Sequence, residues 1–150
     1  MTIQNFSSLL AGKVGDYKMP PVPPALDYPG VITKYEFGTS RAKSTPYVRL
    51  HVNLTGWPEG FEDDAVTSRI NISARTLFVD YWLTDAAKFR LAKLVRECDI
   101  SDDTPMEVAL GEIIGRQVLV LTKHRMSRPR HESQEPEAIL EADSLIGLGA

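Results

Sequence analysis

Polar and apolar positions alternate without a break over PYVRLHVNLTG. Val48, Leu50, Val52 and Leu54 share one parity, and Tyr47, Arg49, His51 and Asn53 share the other. Successive side chains of a strand point to opposite faces, so this segment predicts a half-buried strand. Its outer face is unusual: aromatic ring, cation, imidazole, amide. YPGVITKYEFG, crowded with β-branched and aromatic residues and bracketed by Gly30 and Gly38, predicts a strand before it. TSRAKST between them reads as a polar, basic turn. After a Gly/Pro-broken acidic loop, WPEGFEDDAVTS, strand character returns in RINISARTLFVDYWLT. There Leu77, Val79, Tyr81 and Leu83 alternate with Phe78, Asp80 and Trp82.

The period then lengthens. In DAAKFRLAKLVREC, Leu91, Leu94, Val95 and Cys98 recur at helical spacing, with Thr84 placed to cap the helix. Thr104, Pro105 and Glu107 predict the start of a second short helix, PMEVALGEI, with Pro105 at the first helical position and Gly115 closing the segment. RQVLVLT predicts a fourth strand, and EPEAILEADSLIGL pairs back as a fifth. The lead-in is different in kind. MPPVPPALDYPG places five prolines within 20–30, which predicts an extended, polyproline-like spacer. Residues 1–27 therefore read as an N-terminal arm and 28–150 as the folded domain. Three strands, a helical segment and two strands predict a mainly β domain. The expected form is an OB-fold-like antiparallel five-stranded barrel, with a helix between strands 3 and 4.

Composition narrows the functional classes. The chain has 150 residues, 43% hydrophobic and 25% charged, enough for one domain with a real core. No apolar run approaches the roughly 18 residues needed to cross a bilayer, so no membrane partner is expected. MTIQNFSSLLAGKVGD lacks the basic and apolar regions of a secretory leader. The single cysteine, Cys98, falls on the apolar helix face and reads as a buried small hydrophobe, consistent with a cytoplasmic setting. His51, His124, His131 and that cysteine have no zinc spacing, and no phosphate-binding glycine loop or nucleophile motif is present. The acidic clusters at 62–64 and 102–103 lie in predicted loops and read as solvated surface. Neither a catalytic residue nor a metal or cofactor is expected.

The remaining signal is basic and aromatic. KHRMSRPRH, residues 123–131, holds four Lys/Arg and two His without a carboxylate, in a chain of net charge −3. Cations spaced along a groove neutralise phosphates, and aromatic faces stack unpaired bases. Two basic segments are separated in sequence: Lys34, Arg41, Lys43 and Arg49 in the first hairpin, and Lys123, Arg125, Arg128 and Arg130 after the fourth strand. In an OB-fold these positions flank a floor made by strands 2 and 3. The floor would carry Tyr47, Arg49 and His51 from strand 2 and Phe78 and Trp82 from strand 3. Phe78 and Trp82 have an alternative place, buried against the helix or the arm. A register slip of one residue would move the whole set to the other face. Trp57 reads as a loop anchor, and Lys88, Arg90, Lys93 and Arg96 read as ordinary helix surface.

PPVPPALDYPGVITKYEFGTSRAKSTPYVRLHVNLTGWPE, DYWLTDAAKFRLAKLV and EIIGRQVLVLTKHR together resemble a group of bacteriophage single-stranded DNA-binding proteins of OB-fold type. The likeness runs from about residue 20 to residue 148 and rests on structural motifs: the Pro-rich lead-in, TPYV, the Trp-Pro loop and YWLTDAA. It implies a non-catalytic protein that coats single-stranded DNA in phage replication or recombination, in the cytoplasm of the infected host. Phage replication or recombination proteins and a second copy of the chain are the further partners it suggests. One departure is the end, EPEAILEADSLIGLGA, which interleaves acidic and apolar residues and reads as a strand rather than a recruiting tail. The N-terminal arm would take over recruitment or dock on a neighbouring subunit. The alternatives are a phage structural, assembly or adaptor protein on a similar β scaffold, and a metal-dependent nuclease.

Overall fold

The computed structural model describes residues 7, 10–14, 22–127 and 137–149. Five strands form one antiparallel sheet: β1 (Asp27–Thr39), β2 (Pro46–Leu54), β3 (Thr76–Trp82), β4 (Gln117–Met126) and β5 (Ala138–Gly147). Their order across the sheet is β3-β2-β1-β4-β5. The helices α1 (Asp64–Thr67), α2 (Lys88–Glu97) and α3 (Met106–Glu112) accompany them. Among the described residues no helix is long and apolar enough to cross a membrane.

β2 follows its alternation closely. Val48, Leu50, Val52 and Leu54 are completely buried, while Tyr47, Arg49, His51 and Asn53 are partly exposed on the opposite face. β1 serves two neighbours. Asp27–Val31 pairs with β4, and the strand from Gly30 to Thr39 pairs with β2. A bulge between Ile32 and Lys34 follows directly on the segment paired with β4: such an insertion bends the strand and increases its twist. α2 lays Leu91, Leu94 and Val95 on the core and ends at Cys98, which is fully buried; burial pushes its thiol pKa up.

β3 and β5 form the two edges of the curved sheet and approach each other without a ladder. The predicted barrel is therefore not closed. Tyr81 is buried beneath β3 and lines one groove with Leu145 of β5. Leu77 and Leu140 line one shallow depression further along the same seam. The seam is joined by side chains, with α2 packed over part of it.

Local departures from the sequence reading have local causes. The acidic loop contains α1, because Asp63 accepts a hydrogen bond from the Ala65 N–H at 3.2 Å and caps a helical turn. Residues Ile72–Ala74 form a 3₁₀ turn, so β3 starts only at Thr76. Thr84 does not cap α2 with its side chain; its carbonyl accepts from the Ala87 and Lys88 N–H groups, and Ala87 is the N-cap. Pro105 is the N-cap of α3 and not its first helical residue, so the helix starts one residue later than expected. β4 runs on to Met126, so Lys123 and Arg125 lie within the strand and do not follow it. The described end of the proline lead-in is docked on the domain. The Pro23 carbonyl accepts from His124 at 2.8 Å, the Pro24 carbonyl from the Tyr28 hydroxyl at 2.6 Å, and the Leu26 carbonyl from Thr122.

The end of α2 packs tightly on β5. A Cβ at Gly147 would lie 2.6 Å from the Glu97 carbonyl carbon and 2.8 Å from the Cys98 nitrogen. Backbone cannot yield as a flexible side chain does, so Gly147→Ala should destabilise the fold by about 1–3 kcal/mol. A lowered urea midpoint with an unchanged slope is the expected result. Native Cys98 should also resist thiol reagents until denaturant is added, because its thiol is buried.

Candidate nucleic-acid interface

Three cross-strand rows build the outward face of β1, β2 and β3. Gly38, Tyr47 and Trp82 form the first, Glu36, Arg49 and Asp80 the second, and Lys34, His51 and Phe78 the third. The register brings Tyr47, Arg49, His51, Phe78 and Trp82 together as the sequence pattern predicted. Phe78 and Trp82 are 50% and 39% exposed, so α2 does not bury them.

The rings form a connected layer. Tyr47 meets Trp82 edge-on with centroids 5.5 Å apart, and His51 lies 6.4 Å from Phe78. The Arg49 guanidinium sits 4.0 Å over the Phe78 ring, a cation–π geometry, and Phe78 stays half exposed. Gly38 makes room for Tyr47: a Cβ there would meet the phenol at 2.6 Å. The glycine is required by the close approach of a ring from the neighbouring strand.

Carboxylates run through the same layer. Asp80 accepts from Arg49 at 2.7 Å and 3.1 Å, fixing the guanidinium plane over Phe78. This pairing raises the Arg49 pKa further. Glu36 lies 2.7 Å from the His51 imidazole, and that hydrogen bond lowers its pKa. The β4–β5 hairpin repeats the arrangement. Lys123 lies 3.2 Å from Asp143 and 3.7 Å from Glu141, and Arg125 donates to Glu141 at 2.7 Å. The Lys123 pKa rises, chiefly through Asp143. The described part of the basic stretch is thus charge-compensated across the hairpin, which a sequence run of cations does not reveal.

The remaining expected residues are distributed as follows. Arg41 and Lys43 are exposed on the 40–45 turn, beside the Tyr47 end of the floor, and Lys34 is exposed in the third row. None of the three has a carboxylate within ion-pair distance among the described residues. Arg125 lines an open groove of about 380 Å³ with Phe78, Asp80, Ile139 and Glu141, so one basic wall reaches the floor across the β3–β5 seam. Arg128, Arg130 and His131 lie outside the described residues. Trp57 anchors its loop, 5.8 Å from Tyr28 and stacked on Phe61 at 5.2 Å. No group of three or more His, Cys, Asp or Glu side chains converges as a cation site among the described residues.

Sequence reasoning passed over the acidic partners. Asp80 was legible, since it lies midway between Phe78 and Trp82 on one strand face. Glu141 and Asp143 were not, because their contact with Lys123 depends on the β4–β5 pairing, which shifts by one residue between Leu121 and Thr122. No protein-family model, curated protein or solved structure matches the chain.

The Arg49–Asp80 pair is only partly buried, with side chains 29% and 26% exposed, so solvent screens it. Asp80→Asn should cost about 1 kcal/mol of stability at most, read from urea unfolding. It should also loosen Arg49 over Phe78, seen as a changed aromatic circular dichroism signal.

Proposed function

We propose that this chain binds single-stranded DNA, largely without regard to sequence, through an OB-fold-like domain. The observation that carries the proposal is the solvent-facing layer of Tyr47, Phe78 and Trp82 around the Arg49 guanidinium. Large rings left in solvent on a well-ordered strand face do little for folding, whereas unpaired bases stack on such rings. A duplex hides its base faces, so single strands are preferred.

The strand arrangement supports the fold assignment. An OB-fold is a five-stranded, partly open barrel that binds oligonucleotides on strands 2 and 3, between the loops joining strands 1–2 and 4–5. Here β2 and β3 carry the rings, Arg41 and Lys43 sit on the β1–β2 turn, and the β4–β5 hairpin presents Arg125 beside Phe78. The net charge of −3 is compatible with this role, because local cations set the potential in a groove. The resemblance noted from sequence adds the setting: coating of DNA during phage replication or recombination, in the host cytoplasm. The reading is non-catalytic.

A second reading, an assembly or adaptor protein, draws on the internal pairing of Arg49, Lys123 and Arg125 with carboxylates. It expects no response to oligonucleotides. Fluorescence anisotropy of labelled oligo-dT, at several salt concentrations and against duplex of equal length, separates the two.

Under the proposal, oligo-dT binds much more tightly than duplex, with a log–log salt slope of about −0.7 per phosphate neutralised. Phe78→Ala and Trp82→Ala should each weaken binding by about 1–3 kcal/mol. Replacing Arg125, Arg128 and Arg130 together should flatten the slope. Glu141→Gln, which releases Arg125 to phosphate while Asp143 still holds Lys123, should tighten binding. Absence of binding at low salt would overturn the proposal and favour the assembly reading.

A further inference from the structure

The ring layer does not end at Trp82. On its far side, Trp82 lines an open groove of about 590 Å³ with Phe89, Arg90 and Lys93 of α2 and with Asp143, Ser144 and Ile146 of β5. Phe89 is 61% exposed. The core contribution of α2 comes from Leu91, Leu94 and Val95 on its other side, so its packing does not use the Phe89 ring. Arg90 places its guanidinium 5.8 Å from that ring.

The charge in this groove differs from that on the floor. Arg90 and Lys93 have no carboxylate within ion-pair distance among the described residues, whereas Arg49 is held by Asp80. The two acids in the groove are engaged elsewhere, Asp80 by Arg49 and Asp143 by Lys123. An exposed ring flanked by two uncompensated cations has the chemistry of a base platform with phosphate contacts beside it. Trp82 belongs to both surfaces, so a strand lying along the floor reaches this groove without crossing another element.

We infer that the exposed face of α2 is a second nucleotide subsite, taking the continuation of the same single strand past Trp82. Phe89 stacks a base there, and Arg90 and Lys93 contact the adjoining phosphates. This rests on the single-strand reading above and extends it to helix cations that the sequence assigned to ordinary surface. Its signature is a dependence on ligand length. A short strand fills the β2–β3 floor; only a longer one also reaches α2.

The experiment titrates the full chain against labelled oligo-dT of graded length, spanning roughly 4 to 16 nucleotides, the range of OB-fold site sizes. Phe89→Ala and the double variant Arg90→Ala/Lys93→Ala are compared with the native chain, with Phe78→Ala as the floor control. Both α2 variants should bind the shortest oligonucleotides as the native chain does. On the longest ones, Phe89→Ala should weaken binding about 5- to 150-fold. The double variant should lower the salt slope by about 1.4, two phosphate contacts at 0.7 each. Phe78→Ala should weaken binding at every length. Equal weakening at all lengths by the α2 variants, or no change at any length, would overturn the subsite while leaving the floor intact. A native chain that binds no oligonucleotide would instead remove the single-strand reading on which the subsite rests.

Discussion

Leu50 stands opposite Tyr35 of β1 on one side and Val79 of β3 on the other, and this register organises the molecule. With it fixed, Val48, Leu50, Val52 and Leu54 enter the core together, and Tyr47, Arg49 and His51 leave it together. A slip of one residue would expose four buried aliphatic side chains and bury a guanidinium and an imidazole. Hydrophobic burial, at about 25 cal/mol per Å² of apolar surface, therefore holds the candidate interface in place even though no residue of that interface contributes much to the core. β1 extends the same control to β4, because Gly30 and Val31 pair with β2 on one side and with β4 on the other.

On the polar face, opposite charges alternate with rings. Asp80 fixes Arg49 over Phe78, Glu36 fixes His51, and Glu141 with Asp143 fixes Lys123 and Arg125. Such pairs contribute little to stability at the surface, but they order long side chains. Under the single-strand reading, a polyanion binding here must exchange these carboxylates for phosphates. Affinity would then be moderated and reversible, with the aromatic layer supplying much of the interaction.

The unclosed seam has its own consequence. Because β3 and β5 meet without a ladder, the seam between them remains a groove. That groove brings Arg125 of one hairpin to Phe78 at one end, and α2 to Trp82 at the other. A continuous ladder would leave less of a trough between these elements.

Much of this was legible in the amino-acid sequence. Alternation over 47–54 and 77–82 determined two strands and the facing of their side chains, because a period of two has only one way to bury the apolar set. Helical spacing determined the buried side of α2 and the burial of Cys98. Element order pointed to a mainly β domain. Tertiary structure decided what depends on neighbours distant in the chain. Whether Phe78 and Trp82 were covered depended on where α2 packs. Whether the basic run was free depended on the β4–β5 register, which sets Glu141 and Asp143 against Lys123 and Arg125. Whether the sheet closed depended on whether β3 and β5, distant in the chain, pair in a ladder. A sequence pattern reports the environment of a side chain along its own element; it carries no record of which element arrives from elsewhere to share its charge or cover its face.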